Sequence, residues 1–344
     1  MTQLYSLGLG IGTQNTQGEW LETYFPQPLL APSAVIATAL SDTLGYTGGN
    51  SSIALDDASI AALGTALDSV GETSLAQTLT SLTGSRRPAV AVVLANDAAP
   101  TTVPEAYLKL QLISHRLVRP HGTDLSGIFG CLPNVAWTSE GAIDLAELSA
   151  RQLNARSENR MLSVDSIDKF PKMTDYVVPT GVRIADTARV RLGAYIGEGT
   201  TIMHEGFVNF NAGAEGPNMI EGRISAGVFV GAGSDLGGSS STMGTLSGGG
   251  NIVISVGKEC LIGANAGIGI PLGDRCIVEA GLYITSGTKV MLLDDHRKNA
   301  GTAKALDLAG RDDLLFRRNS ESGAVECLTN KTTVELNEAL HAHN

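Results

Sequence analysis

Arg317 and Arg318 stand side by side in "LLFRRNS" (314–320). Two guanidiniums behind an apolar anchor suit the phosphates of an anionic small molecule, although such a pair alone also reads as a solvated surface patch. "TLSGGGN" (245–251) is dense enough in glycine for backbone N–H groups to approach a ligand or an oxyanion closely. It lacks the GK[ST] ending of a phosphate loop, and taken alone it reads as a plain excursion. "LGLGIGTQN" (7–15) is half of a dinucleotide fingerprint; Thr13 stands where the third glycine belongs, so the stretch reads as a strand and a turn. His204 precedes Glu205, and a lone histidine of this kind reads first as structural. With only His296 near it, His204 cannot build a three-histidine zinc centre. Cys131, Cys260, Cys276 and Cys327 form no CxxC pair and show no metal-ligand spacing, so they read as buried free thiols of a reducing compartment.

These residues need a frame, and composition narrows it. The 344-residue chain is long enough for two domains; aromatic content is only 5% while Gly reaches 41, which suits a glycine-rich β architecture. A formal charge of −11 argues against nucleic acid or an anionic membrane as general partners. Met1 is not followed by a basic stretch and a long apolar run, and no segment approaches the apolar length of a membrane helix. The expectation is a cytoplasmic protein.

Residues 1–165 read as a mixed α/β domain. "RPAVAVVLAND" (87–97) is a buried strand by its aliphatic run, and "PEAYLKLQLISHRLV" (104–118) is a helix opened by Pro-Glu. "SSIALDDASIAALGTALDSVG" (51–71) and "DLAELSARQLNAR" (144–156) also read as helices. Residues 166–181, within a polar stretch with two prolines and no period, form the expected linker.

Beyond the linker, aliphatics return every sixth position. Ile184, Val190, Ile196, Ile202 and Val208 keep that spacing, followed by Ile224, Val230, Leu236 and Thr242. Val256, Ile262 and Ile268 follow, then Leu272, Val278, Ile284 and Val290, with an irregular short step from Ile268 to Leu272. Neither a helix nor a single strand repeats at six, whereas each hexad of a parallel β-helix forms one flat face of a coil. Three hexads close a triangular turn, so roughly five coils are expected over 182–291. Two interruptions, 209–223 and 243–255, look too long for corners and read as extruded loops, the usual place for a site on a rigid solenoid.

"MHEGFVNFNAGAEG", "MIEGRISAGVFVGAGSDLGGSSSTMGTLSGGGN", "GANAGIGIPLGD", "VEAGLYITSGTKV" and "LLFRRNSESGAVE" resemble the tetrahydrodipicolinate N-succinyltransferase family, in its longer form with an extended N-terminal domain. The resemblance runs from about 182 to 325. It implies a left-handed parallel β-helix, a homotrimer with sites between subunits, and succinyl transfer from succinyl-CoA to the amine of tetrahydrodipicolinate as 2-amino-6-oxopimelate. By the same resemblance Glu221 is the catalytic carboxylate. Arg223, Gly238, Ser241, Ala264, Glu279, Ala280 and Gly287 match contacts to the coenzyme. Lys304, Arg317, Arg318, Asn319 and Ser320 match a coenzyme-binding tail within 292–344. Glu205 matches a ligand of a divalent metal such as Mg2+ near the trimer axis. A second acidic ligand of some relatives falls at Ala188 here, with Asp186 two residues earlier.

Amide formation from a thioester needs an amine that loses a proton and a carbonyl oxygen that gains charge. Glu221 suits proton acceptance, and it equally suits attack on the thioester to give a mixed anhydride. Other hexapeptide acyltransferases commonly use a histidine on an extruded loop, and neither interruption contains one. A non-enzymatic solenoid would not require the dense match in both interruptions and in the tail.

Overall fold

The computed structural model describes residues 3–244 and 252–329. Two compact units make up the chain: the first holds residues up to Val118 with Gly122–Pro171 and Asp175–Val177, the second Arg119–His121, Lys172–Thr174 and the chain from Val178 on.

In the first unit, β1 (Ser6–Gln14), β2 (Trp20–Tyr24), β3 (Leu29–Leu30), β4 (Ser51–Leu55) and β5 (Ala89–Leu94) form one antiparallel sheet in the order β2-β1-β5-β4, with β3 also on β1. Leu7 and Leu9 of β1, with Ala91 and Val93 of β5, pack against three helices, α1 (Ala34–Leu44), α2 (Asp57–Ser69) and α3 (Thr73–Leu82). The alternate residues of β1 are glycines for a steric reason. A Cβ on Gly10 would stand 1.9 Å from the Tyr24 carbonyl oxygen, and one on Gly8 would stand 2.7 Å from the Phe25 ring. The half-fingerprint is therefore a packing device. α4 (Val103–Ser114), capped by Thr102, is buried along nearly its whole length. The helix expected over 51–71 is a strand followed by a helix: Asp56 ends β4 and opens α2 with a capping box to Ser59. A second small sheet places Val135–Thr138 between Gly141–Asp144 and Val164–Asp168, beside the helix Leu145–Ser157.

The second unit is a three-sided parallel coil. One face stacks Ala194–Ile196, Ala212–Ala214, Phe229–Val230 and Ser255–Val256. The next stacks Arg183–Ile184, Thr201–Ile202, Met219–Ile220, Asp235–Leu236, Leu261–Ile262 and Ile277–Val278. The third stacks Phe207–Val208, Arg223–Ile224, Ser241–Thr242, Gly267–Gly269 and Tyr283–Thr285. Apart from half-buried Ile184, the six-residue aliphatics point inward and are buried, and each rung hydrogen-bonds to the next across a strand spacing of about 4.8 Å. Thr242 takes an inward place because its hydroxyl donates to the Arg223 carbonyl and accepts from the Ser225 N–H, both at 3.1 Å.

One expected loop is not a loop. Residues 209–223 carry two further rungs, with Ala214 and Ile220 inward and fully buried in step with Val208. The first and second faces thereby each gain a rung that was not expected. The other interruption falls mostly on 245–251, which lie outside the described residues.

Where the first face turns into the second, a column of small polar side chains ties the coils together. Asn218 donates to the Gly231 and Ser234 carbonyls at 2.7 and 2.8 Å, Ser234 donates to Gly257 at 2.7 Å, and Cys260 donates to Gly273 at 3.1 Å. Cys276 lies next to Cys260 and its thiol reaches the Arg311 carbonyl at 3.3 Å. Cys260, Cys276 and Cys327 are buried free thiols; burial pushes Cys327 up to about 12. At its far end the coil is closed by Leu314–Arg318, which pairs with Ile277–Val278 and sets buried Phe316 over Val278. Leu314–Arg318 continues into Val325–Thr329, Lys289–Leu293 and Asn299–Lys304.

Glu22 is a buried acid of the first unit, 4% exposed, between Thr13, Arg87 and the Tyr176 hydroxyl at 3.2 Å. Desolvation raises its pKa despite these partners. A carboxyl raised on folding favours the protonated form, so its contribution is full below the unfolded value of about 4.3 and is lost as pH rises through the folded value. Glu22→Gln should remove that decline, measured as the pH dependence of urea midpoints above pH 4; an unchanged pH profile would contradict it.

Candidate functional site

In every coil the chain turns a corner between the second and third faces, and the expected site residues gather there. Four of these corners use four residues each, 203–206, 237–240, 263–266 and 279–282. In each, the fourth N–H closes on the first carbonyl: Gly206 to Met203, Ser240 to Gly237, Ala266 to Gly263 and Leu282 to Glu279, at 2.9 to 3.2 Å. Ser239, Asn265 and Gly281, third in their corners, are left-handed with φ of 58°, 57° and 74°. They donate to the Glu221, Gly238 and Ala264 carbonyls of the preceding coil at 3.4, 2.8 and 2.8 Å.

The corner between Ile220 and Ile224 differs. Only Glu221 and Gly222 turn the chain there before Arg223 begins the next strand. The inward step is four residues instead of six, so this rung is notched between two fuller corners. The Glu221 N–H is held by the Leu236 carbonyl at 2.8 Å, and its side chain is half-buried. One carboxylate oxygen lies 3.5 Å from where a Cβ on Gly238 would stand, so the acid reaches across to the next corner. Gly222 has no room for a side chain: a Cβ there would meet the buried Ser240 hydroxyl oxygen at 2.1 Å and the Ser240 carbonyl at 2.8 Å. That hydroxyl makes no hydrogen bond of its own.

Glu205, Glu221, Gly238, Ala264, and Glu279 with Ala280 thus occupy successive corners of one column. Arg223 and Ser241 flank it on the third face, in register with each other, Arg223 exposed and Ser241 half-buried. Within the described residues the N–H groups of Gly238, Ala264 and Ala280 make no hydrogen bond. The tail reaches the same column, because Glu279 accepts the Arg318 N–H at 2.7 Å and the Arg318 guanidinium bonds the Gly323 carbonyl at 2.9 Å. Arg317 turns the other way, onto buried Glu326 at 2.9 Å, and Asn319 takes the second oxygen of Glu326 at 2.8 Å. Ser320 is exposed beside them. Gly287 and Lys304 form a separate exposed group, joined where Ala305 N–H meets the Thr288 carbonyl at 2.8 Å.

Glu205 was expected to hold a divalent metal. Its side chain is 69% exposed, with His204 Nδ1 at 3.7 Å, while Asp186 is committed to the Ala188 N–H at 3.0 Å. Among the described residues no three His, Cys, Asp or Glu side chains gather as a metal set. Mg2+ takes about six oxygens in octahedral geometry, and one chain offers at Glu205 a single carboxylate beside an imidazole, so the expected metal set is not formed within one chain.

Sequence reasoning missed Gly222. Its signal was legible: counting six from Val208 gives Ala214 and Ile220, and the next aliphatic then arrives two residues early.

Comparison with known proteins supplies independent findings. The profile described as "Tetrahydrodipicolinate N-succinyltransferase middle" matches residues 132–172, and "Hexapeptide repeat of succinyl-transferase" matches 253–286. The chain is 68% identical over 341 residues to the 2,3,4,5-tetrahydropyridine-2,6-dicarboxylate N-succinyltransferase of Pseudomonas putida, covering 99% of each. It is 57% identical over 340 residues to the protein of that name from Vibrio cholerae, again covering 99% of each. Among solved structures, a Campylobacter jejuni protein assigned as a 2,3,4,5-tetrahydropyridine-2-carboxylate N-succinyltransferase is similar with a TM-score of 0.88 at 33% identity, over 97% of this chain and 94% of that one.

The notch predicts a strict requirement for glycine. Gly222→Ala should cost about 1–3 kcal/mol in denaturant unfolding through overpacking on Ser240. Adding Ser240→Gly should recover part of that loss; a single variant as stable as the parent would contradict the close approach.

Proposed function

The chain belongs to the tetrahydrodipicolinate N-succinyltransferase family, and we propose that its acyl transfer takes place along the notched corner column with Glu221 as proton acceptor. The enzyme is a coenzyme-A-dependent N-acyltransferase that moves succinyl from succinyl-CoA to the amine of tetrahydrodipicolinate, in its open 2-amino-6-oxopimelate form, within diaminopimelate and lysine biosynthesis. The observation that carries the site is the Glu221 carboxylate reaching toward Gly238 beside a row of unspent N–H donors.

The column suits the donor. An extended coenzyme arm bears amides that can accept from the N–H groups of Gly238, Ala264 and Ala280, which recur about 4.8 Å apart. Arg318 sits beside Glu279 at the tail end of the row, where a phosphate would meet its guanidinium. Arg317 serves indirectly, holding Val325–Thr329 against Leu314–Arg318 through Glu326. Lys304, in the separate exposed group with Gly287, adds a cation suited to a coenzyme phosphate. Arg223, exposed next to Glu221, is the nearby cation available for a carboxylate of either substrate.

The reaction then runs in balanced steps. The amine nitrogen attacks the thioester carbonyl as Glu221 takes its proton, and the oxyanion that forms needs N–H donors. Collapse breaks the carbon–sulfur bond, the coenzyme leaves as thiolate, and the proton passes from Glu221 to sulfur. Glu205, Ala264, Glu279 and Ala280 are exposed in one chain. A site that must keep water from a thioester needs a second surface, which supports a homotrimer of left-handed coils with each site shared between neighbours. Among the described residues no helix is long and apolar enough to cross a membrane, and the four free cysteines agree with work in the cytoplasm.

Release of free coenzyme from succinyl-CoA in the presence of the acceptor tests this reading. Glu221→Ala should lower kcat about 100-fold or more while the oligomer elutes unchanged. A variant within threefold of the parent would remove Glu221 from the chemistry, and a succinyl–Glu221 anhydride trapped without acceptor would replace proton acceptance by covalent catalysis.

A further inference from the structure

We infer that Arg189 is a positioning residue of this site: its guanidinium fixes the His204–Glu205 corner that overhangs the notch. The inference rests on the reading of the notched column as the site of acyl transfer.

Corner 203–206 lacks two supports that its equivalents have. In the later corners the third residue is left-handed and donates its N–H to the coil before it, as Ser239, Asn265 and Gly281 do. Glu205, third in its corner, is not left-handed. The two-residue corner that follows has no third residue to reach back with, so nothing from that side ties down His204 and Glu205. On the other side, the carbonyl of the fourth residue normally accepts a backbone N–H from the strand one coil earlier: Gly222 from Phe207, Ser240 from Arg223, Ala266 from Ser241 and Leu282 from Gly267, at 2.8 to 3.0 Å. For Gly206 that donor would be Arg189, whose own N–H is spent on Asp186 at 3.3 Å in the turn Thr187–Arg189.

The Arg189 side chain supplies the missing donor to Gly206 and adds a bond to the third residue of the corner. Its Nε donates to the Gly206 carbonyl at 2.9 Å and its Nη2 to the Glu205 carbonyl at 3.0 Å. A planar guanidinium can span two successive carbonyls in this way, whereas a lysine ammonium reaches them one at a time. Gly206 must remain bare for the corner to sit there, since a Cβ would come within 2.4 Å of the Ile220 carbonyl, the residue just before Glu221. Arg189 is therefore linked to Glu221 by a short path: guanidinium to corner, corner to the Ile220 peptide, peptide to the acid. His204 and Glu205, 80% and 69% exposed, carry polar groups over the notch only as firmly as that clamp holds.

The test compares the full-length parent with Arg189→Ala and Arg189→Lys, first by hydrogen exchange and then by turnover per folded molecule. In Arg189→Ala, amides of 203–207 should exchange at least tenfold faster while those of 237–242 stay unchanged. With succinyl-CoA and acceptor, kcat should fall about tenfold while KM for succinyl-CoA moves less than twofold, and Arg189→Lys should recover part of the loss. Unchanged exchange at 203–207, or a kcat within twofold of the parent, would overturn the assignment. A parent that folds but transfers no succinyl would defeat the proposed function instead, with the exchange result still deciding whether the clamp exists.

Discussion

Backbone hydrogen bonding from rung to rung governs everything the second unit does. Each strand finds its partner one coil away, about 4.8 Å distant, and parallel pairing in register lets a side chain stack only on its counterpart. An inward Ile in one coil thereby dictates an apolar residue at the same place in the next, as Ile202, Ile220, Leu236, Ile262 and Val278 show on the second face. The same rule makes any change in corner length visible at the surface. Strands cannot slip to absorb it, so the two residues absent between Ile220 and Ile224 must appear as a gap in the corner column.

On the proposed reading, that gap turns a structural repeat into a chemical site. A carboxylate on a full corner would stand out in solvent like Glu205 or Glu279. On the shortened corner Glu221 is half-buried, its peptide is held by Leu236, and its oxygen reaches the neighbouring glycine. Glycine and alanine at Gly238 and Ala264 leave the adjacent N–H groups uncovered. If acyl transfer takes place here as proposed, catalytic preorganisation is mostly a matter of backbone, with few side chains committed to it.

Much of this was legible in the sequence because inward positions tolerate so little. A period of six survives in the letters when every sixth side chain must be aliphatic. Reading failed where the physics weakens the signal. Ala214 satisfies an inward place without looking apolar among "NAGAEGPN", so two rungs read as a loop, and the early arrival of Ile224 hides the continuity of the period. In the first unit "SSIAL" merged with the helix behind it, although the Asp56–Ser59 capping box marked the boundary. Arg317 looked equal to Arg318, because the carboxylate that claims it, Glu326, lies nine residues away and meets it only through antiparallel pairing. Pairwise contacts of that kind leave no local pattern.

The account's central claim is that the missing pair of residues, rather than the mere presence of a glutamate, makes the site. Inserting Gly-Asn after Glu221 would restore a four-residue corner, with asparagine at the left-handed place and Gly222 still fourth. Turnover with succinyl-CoA and acceptor, measured beside the thermal midpoint, then decides the matter. The account predicts a midpoint at or near that of the parent with kcat lowered at least a hundredfold; parental turnover from a stably folded insertion variant would contradict it.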